Sequence, residues 1–250
     1  MAQLASVACR FPVIRKAMLF GKSKAPVKLS QMEKIYEDYP DTILRFPRLP
    51  GFPLNDHVCR RIAQFFHTNY PRWTFHAWLD FIPKRAERWG KLRIPDGGDR
   101  IRCAAVVDPL SPYGKRDSSF VRYIFQKDAN ESDADADPDM VDAFGYGRLD
   151  FVIALTLPAS KRFRLKEPKL HILAQITEAE GAEGNAATEF VSFVKFGRSI
   201  ILDVTSVKSV VGRVRTEGVK ASGEWYIIDR NLDMRETVFQ APEHVYEDDD

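Results

Sequence analysis

Arg198–Arg230, with the sequence RSIILDVTSVKSVVGRVRTEGVKASGEWYIIDR, carries the clearest β-strand pattern in this chain. Ile200, Leu202 and Val204 recur at the two-residue period of a half-buried strand. The same period returns over residues 210–215, and a loop with glycine and serine leads to a third β-rich run at 225–230. The stretch therefore predicts a meander of three strands, which needs further strands to complete its sheet.

Six more strand-like runs lie upstream of this meander. They cover residues 89–94, 101–107, 120–125, 147–157, 170–176 and 190–196. About nine short strands with little helix between them are typical of a β-barrel or a β-sandwich. The predicted fold class is therefore mainly β (α+β), with a helical and extended segment at the N-terminal side.

The N-terminal third differs from the rest of the chain in composition and in predicted secondary structure. Residues 1–32 lack acidic residues and predict a basic arm, with a mitochondrial transit peptide as the alternative. Residues 33–53 are rich in proline and aromatic residues and predict an extended linker. Leu54–Phe66 predicts a helix that Asn55 or Asp56 could cap. We place a domain boundary near residue 85, a β-barrel domain over 86–240, and an acidic tail over 241–250.

The charge distribution is uneven. The net charge is +2, but residues 1–127 carry 23 Lys/Arg against 11 Asp/Glu, and residues 128–250 carry 14 against 24. A basic half attracts a phosphate backbone. The alternative is that the two halves attract each other within one fold.

The composition argues against a membrane-spanning protein, a disulfide-rich protein and a zinc-knuckle protein. The sequence has no run near the roughly 20 apolar residues of a membrane span. Its three cysteines, Cys9, Cys59 and Cys103, are too scattered for a disulfide framework or a zinc knuckle. These features predict a nuclear or cytoplasmic protein without a membrane partner.

Catalytic signatures are sparse. The sequence contains no Gly-x-Ser-x-Gly elbow, Walker loop or GxGxxG motif. A metal-dependent nuclease is the enzymatic alternative, because Asp150 (or Asp139) followed by Glu167 and Lys169 has the carboxylate…Glu-x-Lys order of restriction-type nucleases. The leading interpretation has no catalytic residue, cofactor, metal or small-molecule substrate.

Basic residues interleaved with aromatic residues are the candidate binding site. Aromatic rings can stack bases while Arg and Lys contact phosphates. The predicted nucleic-acid-binding residues are Arg72, Trp73, Arg85, Arg88, Trp89, Lys91, Arg93, Arg116, Arg122 and Tyr123. The alternative is that the aromatic residues form the core and the basic residues face outward, since strand alternation alone produces this pattern.

Several short motifs occur together in a fixed order. They are Trp89-Gly-Lys-Leu-Arg-Ile94 with Gly97-Gly-Asp-Arg-Ile101, Arg116-Asp-Ser-Ser-Phe-Val-Arg122, Phe151–Pro158 with Leu170–Ile176, and Val210-Val-Gly-Arg-Val214 with Trp225-Tyr-Ile-Ile-Asp-Arg230. Over residues 54–230 this series resembles the β-rich C-terminal region of fungal Kyakuja-Dileera-Zisupton and related cut-and-paste transposase-like proteins.

The resemblance implies an accessory domain and not the cutting domain. In such transposases an RNase H-like core with three acidic metal ligands cuts DNA, and neither that core nor the upstream zinc-type cysteines is recognisable here. The accessory region is similar to SH3-like or BAH-like barrels that bind chromatin proteins or nucleic acid. The sequence thus predicts a non-catalytic domain that binds DNA or a chromatin protein. Besides the nuclease, the alternative is a protein-interaction or fragment domain without independent activity.

Overall fold

The computed structural model describes residues 29–95, 99–107, 117–130, 137–216 and 223–229. Most of the predicted basic arm, the whole acidic tail and Arg116 lie outside these ranges. Within them, twelve strands form two antiparallel sheets, and two α-helices pack beside the larger sheet. The prediction of a mainly β fold is confirmed.

The larger sheet has nine strands and the smaller sheet has three. The larger sheet comprises β1 (Glu33–Tyr36), β2 (Tyr39–Pro53), β3 (Arg85–Arg93), β4 (Arg100–Arg102), β5 (Phe120–Asp128), β6 (Met140–Leu157), β7 (Lys169–Glu183), β9 (Phe196–Asp203) and β10 (Val207–Val210). The smaller sheet comprises β8 (Ser192–Phe193), β11 (Gly212–Arg215) and β12 (Trp225–Ile228). The helices are α1 (Asp56–Asn69) and α2 (Phe75–Phe81). The prediction of only short strands is wrong for three of them, because β2, β6 and β7 have 15, 18 and 15 residues.

The linker predicted for residues 33–53 is wrong, because this segment forms β1 and β2. β2 pairs with β3 along almost its whole length. Its register shifts between Arg45 and Arg48 and again between Leu49 and Phe52. Pro47 lies in the first irregularity, and the second contains another proline and Gly51, whose φ is 64°. A proline lacks a ladder donor, so at these bulges it is tolerated within a strand.

Helix α1 matches the predicted helix, and its cap is Asn55. The Val58 backbone N–H donates to the Asn55 Oδ1 atom at 2.9 Å, which satisfies one free donor of the first turn. Val58, Ile62 and Phe66 recur at four-residue spacing and are buried against the sheet. The helix therefore belongs to the same packed unit as the strands.

Both faces of the larger sheet are covered. Val152 and Ala154 of β6 lie in one hydrophobic cluster, which we call the inner core. Their neighbours Ile153 and Leu155 lie in a second cluster with the two helices, which we call the helix core. A third cluster, the small-sheet core, contains Tyr146 of β6 and packs against β8, β11 and β12. The side chains of β6 therefore contribute to all three cores.

The larger sheet curls over the inner core but does not close. The Tyr39 hydroxyl at the start of β2 donates to the Asp203 Oδ2 atom at the end of β9 (3.0 Å) and accepts from the Ile172 N–H of β7 (3.1 Å). The main path of paired strands runs β1-β2-β3-β6-β5-β10, so β1 and β10 remain at its ends. The fold is sandwich-like, and of the two predicted alternatives the closed barrel is wrong.

The three-stranded meander predicted for 198–230 is wrong as a whole, but its second hairpin is confirmed, since β11 pairs with β12. β9 pairs with β7, β10 pairs with β5, and β11 pairs with β12. A 3-10 turn at Val204–Ser206 separates β9 from β10, and the Thr205 N–H donates to Asp203 Oδ1 at its start (2.9 Å). Because of this turn, β9 and β10 pair with different strands and not with each other. The alternation of apolar residues predicts a strand but does not identify the strand with which it pairs.

Candidate nucleic-acid interface

Two of the predicted aromatic residues are buried in the inner core. Trp89 is 1% exposed and Tyr123 is 3% exposed. A base that stacks on an aromatic ring needs an open ring face. Neither side chain offers one, so their burial supports the alternative that these aromatic residues belong to the core.

Two of the predicted arginines lie in ion pairs. Arg93 donates from Nε and Nη2 to the two carboxylate oxygens of Glu33, each at 3.0 Å. Arg122 Nη1 lies 2.8 Å from Asp229 Oδ2, and the two side chains are 8% and 0% exposed. Burial raises the pKa of Asp229, and the Arg122 charge opposes that rise. These guanidinium groups connect parts of the fold and are already engaged by carboxylates.

Three further predicted cations lie along β3. Arg85 is exposed and donates to the Gly51 carbonyl oxygen at 2.8 Å. The Arg88 guanidinium lies 4.3 Å from the centroid of the Phe52 ring. Lys91 is half-buried and lies six residues from Arg85, about 20 Å along a strand. These side chains are spread along one strand, whereas Arg72 and Trp73 belong to a different surface.

That surface is built around the connection between β6 and β7, residues 158–168, which we call the basic loop. Its sequence is PASKRFRLKEP, and Lys169 follows as the first residue of β7. Ser160 and Leu165 close the loop through two backbone hydrogen bonds of 2.9 Å. Arg164 takes a positive φ of 57° at the tip, and its N–H donates to the Lys161 carbonyl (3.2 Å). The backbone is therefore held in one tight turn.

Phe163 fixes the basic loop to the helices. It is buried, and its ring stacks on Phe81 with centroids 4.1 Å apart and lies 4.6 Å from the ring of Trp78. Trp73 lies 5.4 Å from Phe163, and its Nε1–H donates to the Arg162 carbonyl oxygen (3.1 Å). These contacts bring the α1–α2 connection, which carries Arg72, against the loop.

The outer side of this assembly is strongly positive. Six cations are exposed there, and none of them forms an ion pair within the part of the chain that the structure describes. They are Arg72, Lys161, Arg162, Arg164, Lys166 and Lys169. Glu167 is the one acidic residue of the loop. We call these six cations, together with Tyr70 and Trp73, the basic–aromatic surface.

A small cavity opens beside the loop. Its volume is about 80 Å³. It is lined by aromatic and aliphatic side chains with one lysine and one histidine, namely Phe66, Tyr70, Trp73, Trp78, Leu157, Phe163, Leu165, Lys169 and His171. Because Trp73, Phe163, Leu165 and Lys169 also belong to or contact the basic loop, the cavity and the cations form one continuous region.

His171 is a buried titratable residue that lines this cavity. It is 8% exposed, and its ring meets the Phe66 ring edge-to-face at 5.0 Å. Burial, helped by the charge of Lys169, lowers the pKa of His171 from 6.5 to about 4. Its ring nitrogens hydrogen-bond to no residue that the structure describes. The cavity thus contains a neutral imidazole with one donor and one acceptor.

The residues of the nuclease alternative do not converge. Asp150 accepts from Arg148 Nε (3.0 Å) and Thr177 Oγ1 (2.6 Å) in the middle of the β6–β7 ladder. Lys169 pairs with Leu157 at the end of that ladder, seven residues or about 23 Å from Asp150. Glu167 lies beyond Lys169 in the loop, too far to share a metal ion with Asp150. Among the described residues no group of three or more His, Cys, Asp or Glu side chains could hold a metal ion.

No known relative guides the assignment. Comparison with models of protein families, with curated proteins and with solved structures gave no match. Neither α-helix of the described residues is long and apolar enough to cross a membrane. The resemblance to transposase-like proteins stays a prediction.

The basic loop is not among the predicted nucleic-acid-binding residues, although the sequence contains a signal for it. Lys161, Arg162, Arg164, Lys166 and Lys169 fall within nine residues, a density of positive charge that is typical of phosphate-binding segments. The nuclease pattern drew attention to Glu167 and Lys169 alone.

Proposed function

We propose that this chain is a non-catalytic accessory domain that binds nucleic acid through the basic–aromatic surface. The observation that carries the proposal is the group of six exposed cations without ion pairs around Trp73. Phosphate contacts from Lys and Arg supply most of the affinity of such proteins. The resemblance to transposase-like proteins is the reason to test DNA first.

The fixed position of the cations supports this proposal. A long flexible loop loses conformational freedom when it binds, and that loss reduces affinity. Here the backbone hydrogen bonds between Ser160 and Leu165 and the stacking of Phe163 on Phe81 hold the loop before any ligand arrives. Tyr70 and Trp73, which are partly exposed, place aromatic side chains beside the charges.

The salt dependence of binding tests the proposal. For a single strand the logarithm of the binding constant falls with the logarithm of salt with a slope of about −0.7 per neutralised phosphate. Six contacts give a slope of about −4, or roughly a 300-fold loss of affinity between 50 and 200 mM salt. Fluorescence anisotropy of a labelled DNA oligonucleotide measures this slope directly.

A pair of matched double variants assigns the slope to the loop. Arg162→Ala with Arg164→Ala removes two loop cations and should make the slope about 1.4 smaller in magnitude. Lys127→Ala with Lys195→Ala removes the same charge from lysines already paired with Glu183 and Glu180, and should leave binding nearly unchanged.

Two results would contradict the proposal. One is the absence of DNA binding by the intact chain at about 50 mM salt, a condition that strengthens electrostatic binding. The other is an equal effect of the two double variants, which would indicate attraction by overall charge and not by this surface. Either result would leave binding of a chromatin protein, the other predicted partner, as the function to test.

A further inference from the structure

We infer that the cavity beside the basic loop receives one unstacked pyrimidine base of a bound single strand. This inference rests on the proposed function, because the loop must first bind the phosphate backbone. It adds a preference for single strands over duplexes and for pyrimidines over purines. The size of the cavity, the presence of His171 in its lining and its position beside Lys169 support this inference.

The size of the cavity favours a single ring. A cavity of about 150 Å³ lined by apolar side chains accepts benzene. The present volume of about 80 Å³ admits one part of a six-membered ring, and the rest of that ring would lie in the mouth. Tyr70 and Trp73 line the cavity and are partly exposed, so aromatic side chains lie beside the ring that enters. A two-ring purine would leave more of its surface outside the cavity than a pyrimidine would.

His171 gives the cavity a means to recognise a base edge. More than nine-tenths of this side chain is buried, it lines the cavity, and its ring nitrogens have no hydrogen-bond partner among the described residues. A neutral imidazole offers a donor and an acceptor, and the edge of a base offers complementary groups. A purely apolar ligand would leave the His171 nitrogens without partners, which is unfavourable in a buried site.

The position of the cavity joins this recognition to the phosphate contacts. Lys169 is both a lining residue of the cavity and one of the six exposed cations. A strand whose phosphate lies at Lys169 therefore has its neighbouring base at the mouth. A base in a duplex is paired and stacked and must be extruded to enter, at a cost that a single strand largely avoids.

The test compares three DNA probes of equal length at one salt concentration. The probes are oligo-dT, oligo-dA and a mixed-sequence duplex, measured by anisotropy with the full chain. We expect oligo-dT to bind about tenfold more tightly than oligo-dA, the range of one base–aromatic contact. The duplex should bind more weakly than oligo-dT.

Two variants separate the cavity from the general flexibility of oligo-dT. Leu165→Phe fills the cavity, and His171→Phe keeps a ring while removing both nitrogens. Each should bring the dT-to-dA affinity ratio close to one, whereas Lys195→Ala, on another surface, should preserve the wild-type ratio. Circular dichroism confirms folding of each variant, and the second variant serves if the first does not fold.

The outcomes distinguish this inference from the proposed function. Equal affinity of the wild type for oligo-dT and oligo-dA, or an unchanged ratio in a folded cavity variant, overturns the inference and leaves DNA binding intact. Duplex binding as tight as oligo-dT binding also overturns it. Failure of all three probes to bind overturns both proposals.

Discussion

The stability of the protein should depend on pH through His171. Its folded pKa is about 4 against an ordinary value of 6.5, because burial disfavours the charged ring and Lys169 adds repulsion. That difference corresponds to about 3 kcal/mol in favour of the neutral ring. In the unfolded chain the ring is solvated and takes up its proton near pH 6.5.

The sign of the effect follows from proton uptake. Between about pH 6.5 and pH 4 the unfolded chain binds one more proton than the folded chain at this site, so acid stabilises the unfolded state. The free energy of unfolding should therefore fall by about 2 kcal/mol from this group alone between pH 7.5 and pH 5. Above about pH 6.5 the contribution is constant.

Urea unfolding at about pH 7.5 and pH 5 measures this quantity. His171→Phe removes the titrating ring, so the variant should lose about 2 kcal/mol less than the wild type over the same interval. All other titrating groups are common to both proteins and cancel in the comparison. Identical pH dependence of the two proteins would refute the assignment of a buried neutral imidazole at this position.

Three further predictions concern buried groups outside the candidate interface. Arg122→Met leaves the Asp229 carboxylate buried without its cation and should cost about 3–5 kcal/mol in chemical unfolding; adding Asp229→Leu should restore much of this loss. Burial raises the pKa of Cys103 to about 12, so in a Cys9→Ala, Cys59→Ala background this thiol should resist thiol-specific labelling until urea unfolds the chain. Gly147→Ala places a Cβ atom 2.6 Å from a backbone carbonyl oxygen of β7 and should cost roughly 1–3 kcal/mol, whereas Gly197→Ala, whose nearest contact is 3.4 Å, should leave the unfolding midpoint almost unchanged.

The sequence predicts those parts of the fold that depend on local signals. The Asn55 cap and the four-residue spacing of Val58, Ile62 and Phe66 define α1 without reference to the rest of the chain. The two-residue alternation that begins at Ile200 and continues through Leu202 likewise predicts a strand, and β9 includes both residues. Both elements carry their information within a dozen residues.

Other parts depend on contacts between distant residues. Prolines 47 and 50 argued against a strand, but they lie at bulges that exist only because β2 is paired with β3. The partner of β10 is β5, more than eighty residues earlier, and nothing in Val207–Val210 specifies it. Pairing across such separations is decided by the whole sheet.

The candidate interface was predicted in part. Arg72 and Trp73 lie in it, but Trp89 and Tyr123 do not, because alternation identifies two faces of a strand without saying which one is covered. The basic loop joins the interface through Phe163, which packs on helices more than eighty residues away in sequence. No pattern in the sequence near Phe163 predicts its contact with Phe81.

The participation of β6 in all three cores has a consequence for how the chain reaches its structure. A shift of one residue in the register of β6 would place Ile153 where Val152 now lies. Side chains that now pack in the inner core would then face the helix core, and the reverse. Gly145 and Gly147 help to exclude such a slip, because a larger residue at either position would collide with Tyr123 or with β7. The inner, helix and small-sheet cores therefore all depend on the register of β6. During folding, none of them can complete its packing until β6 has paired in that register.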